Sequence, residues 1–197
     1  QMVLQAQLNP HFIFNCLTNI QSLYNEGQSE KASEFVVDFS RILRKVLDHT
    51  SMGFVSIRDE IETIKLYLKL EKSRLGEDLK YRFIIDKNLD VDFIYVPPFI
   101  IQPIVENAIW HGIVPNQKEG IVIVKCQLLD NDYLKWTVID NGIGYSNNVQ
   151  SQKKKGHISK GENLTKQRLG DGDSLTIQQR AKGGTRVLII MRAKYEN

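Results

Sequence analysis

Over about the first 75 positions, apolar residues recur every three to four places, a spacing that predicts helices. Leu4, Leu8 and Phe12, then Ile13, Leu17, Ile20 and Tyr24, mark the first helical stretch. Asn25 to Ser29 reads as a turn. Phe35, Val36, Phe39, Ile42, Leu43, Val46 and Leu47 then carry the clearest amphipathic stripe in the chain. "TSMG" breaks it. Ser56, with Asp59 three residues on, resembles a capping box that has Asp for the usual Glu or Gln. It opens a helix through Ile57, Ile61, Ile64, Leu68 and Leu75.

Past Gly76 the period changes. "KYRFII" is a strand candidate, and "VPPFIIQPIVENAIWHG" predicts a helix approached through prolines and closed by Gly112. "IVIVKCQLL" and "YLKWTVI" predict a hairpin joined by "DND". Tyr145 to Lys160 is polar and reads as a solvated loop carrying Lys153, Lys154 and Lys155. A short helix fits Glu162 to Leu169. "SLTIQQR", the pair Gly183-Gly184 and "TRVLIIM" predict a closing hairpin. Helices first and a mixed segment second point to two modules of an α+β protein, not to a doubly wound sheet.

Composition narrows the partners. The 197 residues are 42% hydrophobic and 25% charged, enough for an ordinary core. A net charge of +3 does not argue for a nucleic-acid partner. Cys16 and Cys126 lie far apart without metal-type spacing, which favours a reducing compartment and no disulfide framework. No run reaches the ~18–20 apolar residues of a membrane span. No signal peptide is visible. A chain that opens on Gln1 reads as a fragment of something longer.

Three stretches carry candidate chemistry. "DNGIG", Asp140 to Gly144, follows a strand. Its glycines would let backbone approach a flat or anionic ligand, and its acid could accept from an amino group, but Asn-Gly is also an ordinary turn. In "PIVENAIWHG", Glu106 and Asn107 interrupt an apolar helix, and His111 shares a face with Asn107. An amide oxygen suits Mg²⁺, which takes one or two protein groups beside phosphates, but a satisfied buried amide would read the same way. "LNPHFIFN" sets a proline beside His11. Either Pro10 kinks a continuous helix, at about 3 kcal/mol, or Asn9 caps a new helix with Pro10 in its first position. His11, Asn15, Thr18 and Ser22 form one polar stripe, so His11 is expected to face solvent. A neutral imidazole there is a competent nucleophile near pH 7.

"ENAIWHG", a hairpin, "DNGIG", "SKGENLTKQRL" and "GGT" follow one another in an order that resembles the ATP-binding fold of the gyrase, Hsp90, histidine kinase and MutL superfamily. No GxxxxGK[ST] occurs, which sets a P-loop site aside. "LNPHFIFN", the phenylalanine-rich second helix and "YLKLEKSRLG" resemble the LytS-like sensor histidine kinases. The resemblance implies a helical dimerisation and phosphoacceptor region over 1–75 and a Bergerat-type α/β sandwich that binds ATP over 76–197. It implies that His11 is the phosphoacceptor, that Asn107 holds Mg²⁺ on the phosphates, and that Glu106 is a base or a metal-supporting group. Asp140 would accept from the adenine amino group. Gly142, Gly144 and Thr185 would border the nucleotide, and Lys160 and Gly161 would border the phosphates from a lid. Trp110 stands where many relatives carry Lys, so His111 or the lid would take that phosphate contact.

The activity so implied is autophosphorylation of His11 from ATP, then transfer to an aspartate of a response regulator. The expected partners are a second copy of the chain, paired through helices bearing Phe35, Phe39, Ile42, Leu43 and Val46, and the receiver domain, with no nucleic acid and no direct membrane contact. The parent protein would sit in the bacterial inner membrane with this part in the cytoplasm. Two other readings remain open from residues alone: a non-kinase ATPase clamp of the same superfamily, and a dimerisation scaffold with a degenerate ATP site.

Overall fold

The computed structural model describes residues 10–144 and 165–195. Three helices come first: α1 (Pro10–Asn25), α2 (Ser29–Thr50) and α3 (Ile57–Leu75). Pro10 is the first described residue of α1, so Asn9, and with it the choice between cap and kink, lies outside the described residues. The Ser56 cap forms as expected. Its Oγ accepts the Asp59 N–H at 3.1 Å and donates to Asp59 Oδ2 at 2.9 Å. Asp59 and Glu60 in the first turn of α3, and Lys72 and Arg74 in the last, complement the helix dipole.

Phe12 packs against Phe39 and Tyr67 at centroid distances of 6.4 and 5.0 Å, tying α1 to α2 and α3. Phe35, Phe39, Ile42 and Val46 are buried within the chain and Leu43 is partly buried. α3 offers these side chains an apolar partner within the chain, so they pack inside one copy whatever part they also take in a core shared with a second. The apolar side chains that α1 and α2 leave exposed are others, among them Phe14, Leu17, Val36, Val37 and Leu47.

A five-stranded sheet follows, from β2 (Leu79–Ile85), β4 (Gly120–Leu129), β5 (Tyr133–Asp140), β6 (Ser174–Gln179) and β7 (Thr185–Arg192), in the order β2-β4-β5-β7-β6. The β2–β4 pair is parallel and the others antiparallel. Both predicted hairpins form. Gly183 and Gly184, at φ of 86° and 80°, turn the second in a conformation that residues with side chains rarely adopt. A small antiparallel sheet joins β1 (Val55–Ser56), β3 (Ile94–Val96) and β8 (Lys194–Tyr195) in that order. α3 lies between the other two helices and the sheet, and buried side chains run without a break from Phe12 to Ala193.

Between β3 and β4 the helix α4 (Gln102–Asn107) runs into a π-helical turn (Ala108–Ile113) and then a 3₁₀ turn (Val114–Asn116). Gly112 does not close the helix, as its type and position predict. The turn continues through it and ends at Gln117, at φ 50°. Gly112 is glycine for another reason: its Cα faces the Asp140 carboxylate and the backbone of Gly142, where a Cβ would sit 3.1 Å from Asp140 Oδ1.

Candidate functional site

Asp140 closes β5 and is buried. Its Oδ1 accepts two backbone N–H groups, from Gly142 at 2.8 Å and from Thr185 at 3.1 Å. Burial pushes its carboxyl pKa up, and those two N–H donors and the nearby Arg180 guanidinium oppose the rise. Arg180 Nη1 also donates to the Asp140 carbonyl at 2.6 Å. Asn141 fastens the turn beside it, accepting from the Ile121 N–H at 2.7 Å and donating to the Glu119 carbonyl at 2.8 Å.

The glycines of "DNGIG" serve close approach. A Cβ on Gly142 would overlap the Gly112 carbonyl, which accepts from the Ile143 N–H at 3.0 Å. Gly144 lies at φ 87°, against the Gln179 side-chain amide. A Cβ on Gly184 would run into the Asp140 carbonyl. The loop of "DNGIG", the π turn of "ENAIWHG" and the start of the last long strand therefore meet around one carboxylate.

Glu106 and Asn107 end α4, both half-buried. Glu106 accepts from Gln102 Nε2 at 2.8 Å. Burial pushes the Glu106 pKa up to about 7; the Gln102 hydrogen bond opposes this and the charge of Glu71 adds to it. His111 sits in the π turn, and partial desolvation holds its imidazole below the ordinary value.

His11 lies on the exposed side of α1, as expected. Its Nδ1 is 3.2 Å from the Asn15 amide nitrogen one turn on. Its ring meets the Trp110 indole edge-on, with centroids 4.6 Å apart at 74°. The histidine of the first stretch thus touches the turn that continues from Glu106 and Asn107. Lys160 and Gly161 lie outside the described residues.

Two acidic residues to which the sequence reading gave no role are central to this arrangement: Glu60, and Glu71 within "YLKLEKSRLG". Glu71 is buried in α3, and its Oε2 accepts from Arg74 Nε at 3.2 Å and Nη2 at 3.0 Å. The Arg74 guanidinium in turn lies 4.2 Å from the Trp110 ring centroid. Burial pushes Glu71 up and Arg74 holds against it. Cys16 shares the spot; its thiol is pushed up to about 12 by burial and then by the charge of Glu71. Glu60, fully buried, accepts the N–H groups of Phe99 at 2.9 Å and Ile101 at 3.0 Å. Arg168, from the helical turn over 165–168, donates to the Phe99 carbonyl at 2.5 Å. The sequence does carry a signal for both acids. Ile57, Glu60, Ile64, Tyr67 and Glu71 follow one another at three and four residues, so each acid falls on the apolar stripe of its helix.

Comparison with known proteins agrees with this geometry. Residues 1–79 match the family model described as histidine kinase. The chain is 36% identical over 141 residues to the sensor protein LytS of Staphylococcus haemolyticus, covering 72% of this chain and 24% of that protein. It is 43% identical over 110 residues to the sensor histidine kinase BtsS of Escherichia coli, covering 56% of this chain and 19% of that protein. The chain therefore spans a quarter or less of the length of these two relatives. In fold it is similar to the histidine kinase domain of the Erythrobacter litoralis blue-light activated histidine kinase, with a TM-score of 0.56 at 17% identity over 79% of this chain and 74% of that one. It is also similar to the histidine kinase ThkA in its complex with the response regulator protein TrrA, with a TM-score of 0.50 at 13% identity over 92% of this chain and 59% of that one. A histidine-bearing helix laid against this fold, with relatives of that kind over most of its length, places the chain in the histidine kinase family, among the LytS-like sensor proteins.

Proposed function

We propose that this chain is the kinase portion of a two-component sensor histidine kinase. It binds ATP with Mg²⁺, transfers the γ-phosphoryl group to His11, and passes it on to an aspartate of a response regulator. The observation that carries this reading is the contact between His11 and Trp110, which sets an exposed imidazole against the turn that follows Glu106 and Asn107.

Region 1–75 carries the acceptor, and 76–197 carries the nucleotide site. Asp140 accepts from the adenine amino group, with Gly142, Gly144 and Thr185 beside it bordering the nucleotide and His111 turned to the phosphates; Lys160 and Gly161, which the resemblance gives to the phosphates as well, lie outside the described residues. The Asn107 amide is the hard oxygen donor that Mg²⁺ takes beside phosphate oxygens, and the ion would neutralise charge on the phosphates. Burial pushes the Glu106 carboxyl up to about 7, so it can hold a proton or, ionised, support the ion.

Phosphoryl transfer asks the protein for position and charge neutralisation more than for covalent help. An imidazole nitrogen forms a bond to the γ-phosphorus as its bond to the β–γ bridging oxygen breaks. ADP leaves, and the proton on the other ring nitrogen is released to water. With the Asn15 amide turned so that its oxygen accepts the proton of Nδ1, Nε2 carries the lone pair that attacks. In the second step the phosphoryl group moves to a receiver aspartate and the imidazole is restored. The apolar side chains left exposed on α1 and α2, with Phe14 at 68% and Leu17 at 51%, support pairing with a second copy. Among the described residues no helix is long and apolar enough to cross a membrane. By the family resemblance, the parent protein holds this part on the cytoplasmic side of the bacterial inner membrane.

The test is phosphate incorporation from γ-labelled ATP with Mg²⁺, in the wild type and in His11→Ala. An acid-labile, base-stable label that is lost in His11→Ala is the expected result. ATP turnover to free phosphate without label would instead mean a clamp-type ATPase, and ATP that does not bind at all would mean a scaffold.

A further inference from the structure

The acceptor ring does not meet the nucleotide-site turn at random. It meets Trp110, and Trp110 is held from behind. Arg74 covers the indole at 4.2 Å, and a guanidinium stacked on an aromatic face is attracted by the ring quadrupole. Arg74 is fixed by two hydrogen bonds to Glu71, whose side chain is 1% exposed. A carboxylate buried that deeply is costly unless paired, so the pair has a strong preference for this geometry. The chain of contact runs from the interior of α3 through Arg74 to Trp110 and out to His11.

We propose that Trp110 is the platform on which the acceptor imidazole is presented to the nucleotide site, and that Arg74, locked by Glu71, is the positioning residue that holds the platform. This rests on His11 being the phosphoacceptor. It adds a role to the part of "YLKLEKSRLG" that touches neither nucleotide nor acceptor. An exposed imidazole has many side-chain orientations, of which few aim a nitrogen at phosphorus. An edge-on aromatic contact removes most of them, and misplacement of a reacting group by about 1 Å can cost on the order of a hundredfold in rate.

Two measurements test this. The first reads the ring pair itself. A protonated imidazole quenches a neighbouring indole, and the chain has two tryptophans, Trp110 and the fully buried Trp136. The pH titration of tryptophan fluorescence in the wild type should contain a component that is missing in His11→Gln. Glu71, Arg74, Glu106 and His111 are common to both proteins, so the difference isolates His11. Identical titrations would overturn the proposal.

The second reads the labelling rate. Trp110→Ala should lower the rate at saturating ATP on the order of tenfold to a hundredfold, with the KM for ATP within about threefold. Trp110→Phe should retain most of the rate, and Arg74→Gln should fall between the two. A Trp110→Ala protein that labels at the wild-type rate would overturn the proposal and leave the kinase reading standing. So would loss of ATP affinity in Trp110→Phe, because Trp110 would then act on the nucleotide. A wild-type chain that takes no label would remove the kinase reading, and the role given to Trp110 with it.

Discussion

The Asn15 amide and His11 Nδ1 face each other at 3.2 Å across one turn of α1. For Nε2 to attack phosphorus, the ring proton must sit on Nδ1, and something must accept it there. The Asn15 amide oxygen can do so, since an amide's oxygen and nitrogen exchange places without moving the other atoms. Asn15 would thus select the reactive tautomer. Asn15→Leu should lower the labelling rate at saturating ATP about tenfold, the usual scale of one neutral hydrogen bond, with ATP affinity unchanged. Asn15→Asp should keep or raise the rate, because a carboxylate accepts the same proton in a charge-assisted bond. An Asn15→Leu protein as fast as wild type would show that the tautomer is set elsewhere.

Gly142 is expected to tolerate no side chain. Its missing Cβ is filled by the Gly112 carbonyl, and both backbones crowd the Asp140 carboxylate. Gly142→Ala must push the "DNGIG" loop off the π turn, an overpacking of the kind that costs about 1–3 kcal/mol. The same shift breaks the 2.8 Å bond from the Gly142 N–H to Asp140 Oδ1. Loss of stability in a denaturant titration and loss of ATP binding by calorimetry should therefore appear together. Asp140→Asn should remove ATP binding at a smaller cost in stability. An alanine at 142 that binds ATP normally would mean the loop does not carry the nucleotide.

Glu106 makes a pH prediction with a definite sign. Burial raises its pKa to about 7, so the ionised form is gained as pH rises through that value. If the step needs a charged Glu106, the labelling rate at saturating ATP rises across the same window. The Gln102 N–H favours the ionised carboxylate, from 2.8 Å. Gln102→Leu removes that donor, so the rising limb should move to higher pH while the alkaline plateau is kept. A limb that stays in place would separate the pH dependence from Glu106.

The three long helices and both hairpins were legible because each has its own period and its own turn residues. The parallel pairing of β2 with β4 was not, since parallel strands carry no turn between them to announce the register. β1 and β8, with two residues each, are too short to alternate. The site divides in the same way. Asp140, Gly142 and Asn107 stood out through motif order. Gly112 stood out as glycine but was assigned to a helix end, because close approach to Gly142 is visible only once two distant segments meet. Glu60 and Glu71 each look like a lone interruption of an apolar stripe. Only the fold supplies their partners, the N–H groups of Phe99 and Ile101 for one and the turned-back Arg74 for the other. The phenylalanine stripe of α2 was legible as buried, but that α3 would be its partner within the chain was not, since the two helices meet only once the loop between them has turned.

Glu60 should prove to be the clasp that holds the approach to α4. Its two oxygens take the Phe99 and Ile101 N–H groups, and Phe99 sits at φ 56°, a conformation that persists only when its surroundings enforce it. Glu60→Gln keeps the shape but turns an NH₂ toward one of those donors. Leaving a buried donor unmet costs about 1–3 kcal/mol, so the midpoint in urea should fall clearly. The wild type adds a pH signature. Burial raises the Glu60 pKa from 4.5 to about 7 in the folded chain, so the folded state binds the proton more tightly than the unfolded state. Its contribution to stability is then fully present at acid pH and is lost as pH rises through that window. The stability gap between wild type and Glu60→Gln should accordingly be wider near pH 5 than near pH 8. Glu71, Glu106 and Asp140 are shared by both proteins and cancel in the comparison. A gap that is constant with pH would mean that Glu60 stays ionised throughout, held by its two N–H donors and by Arg168. The clasp would stand in that case, and the raised pKa would not.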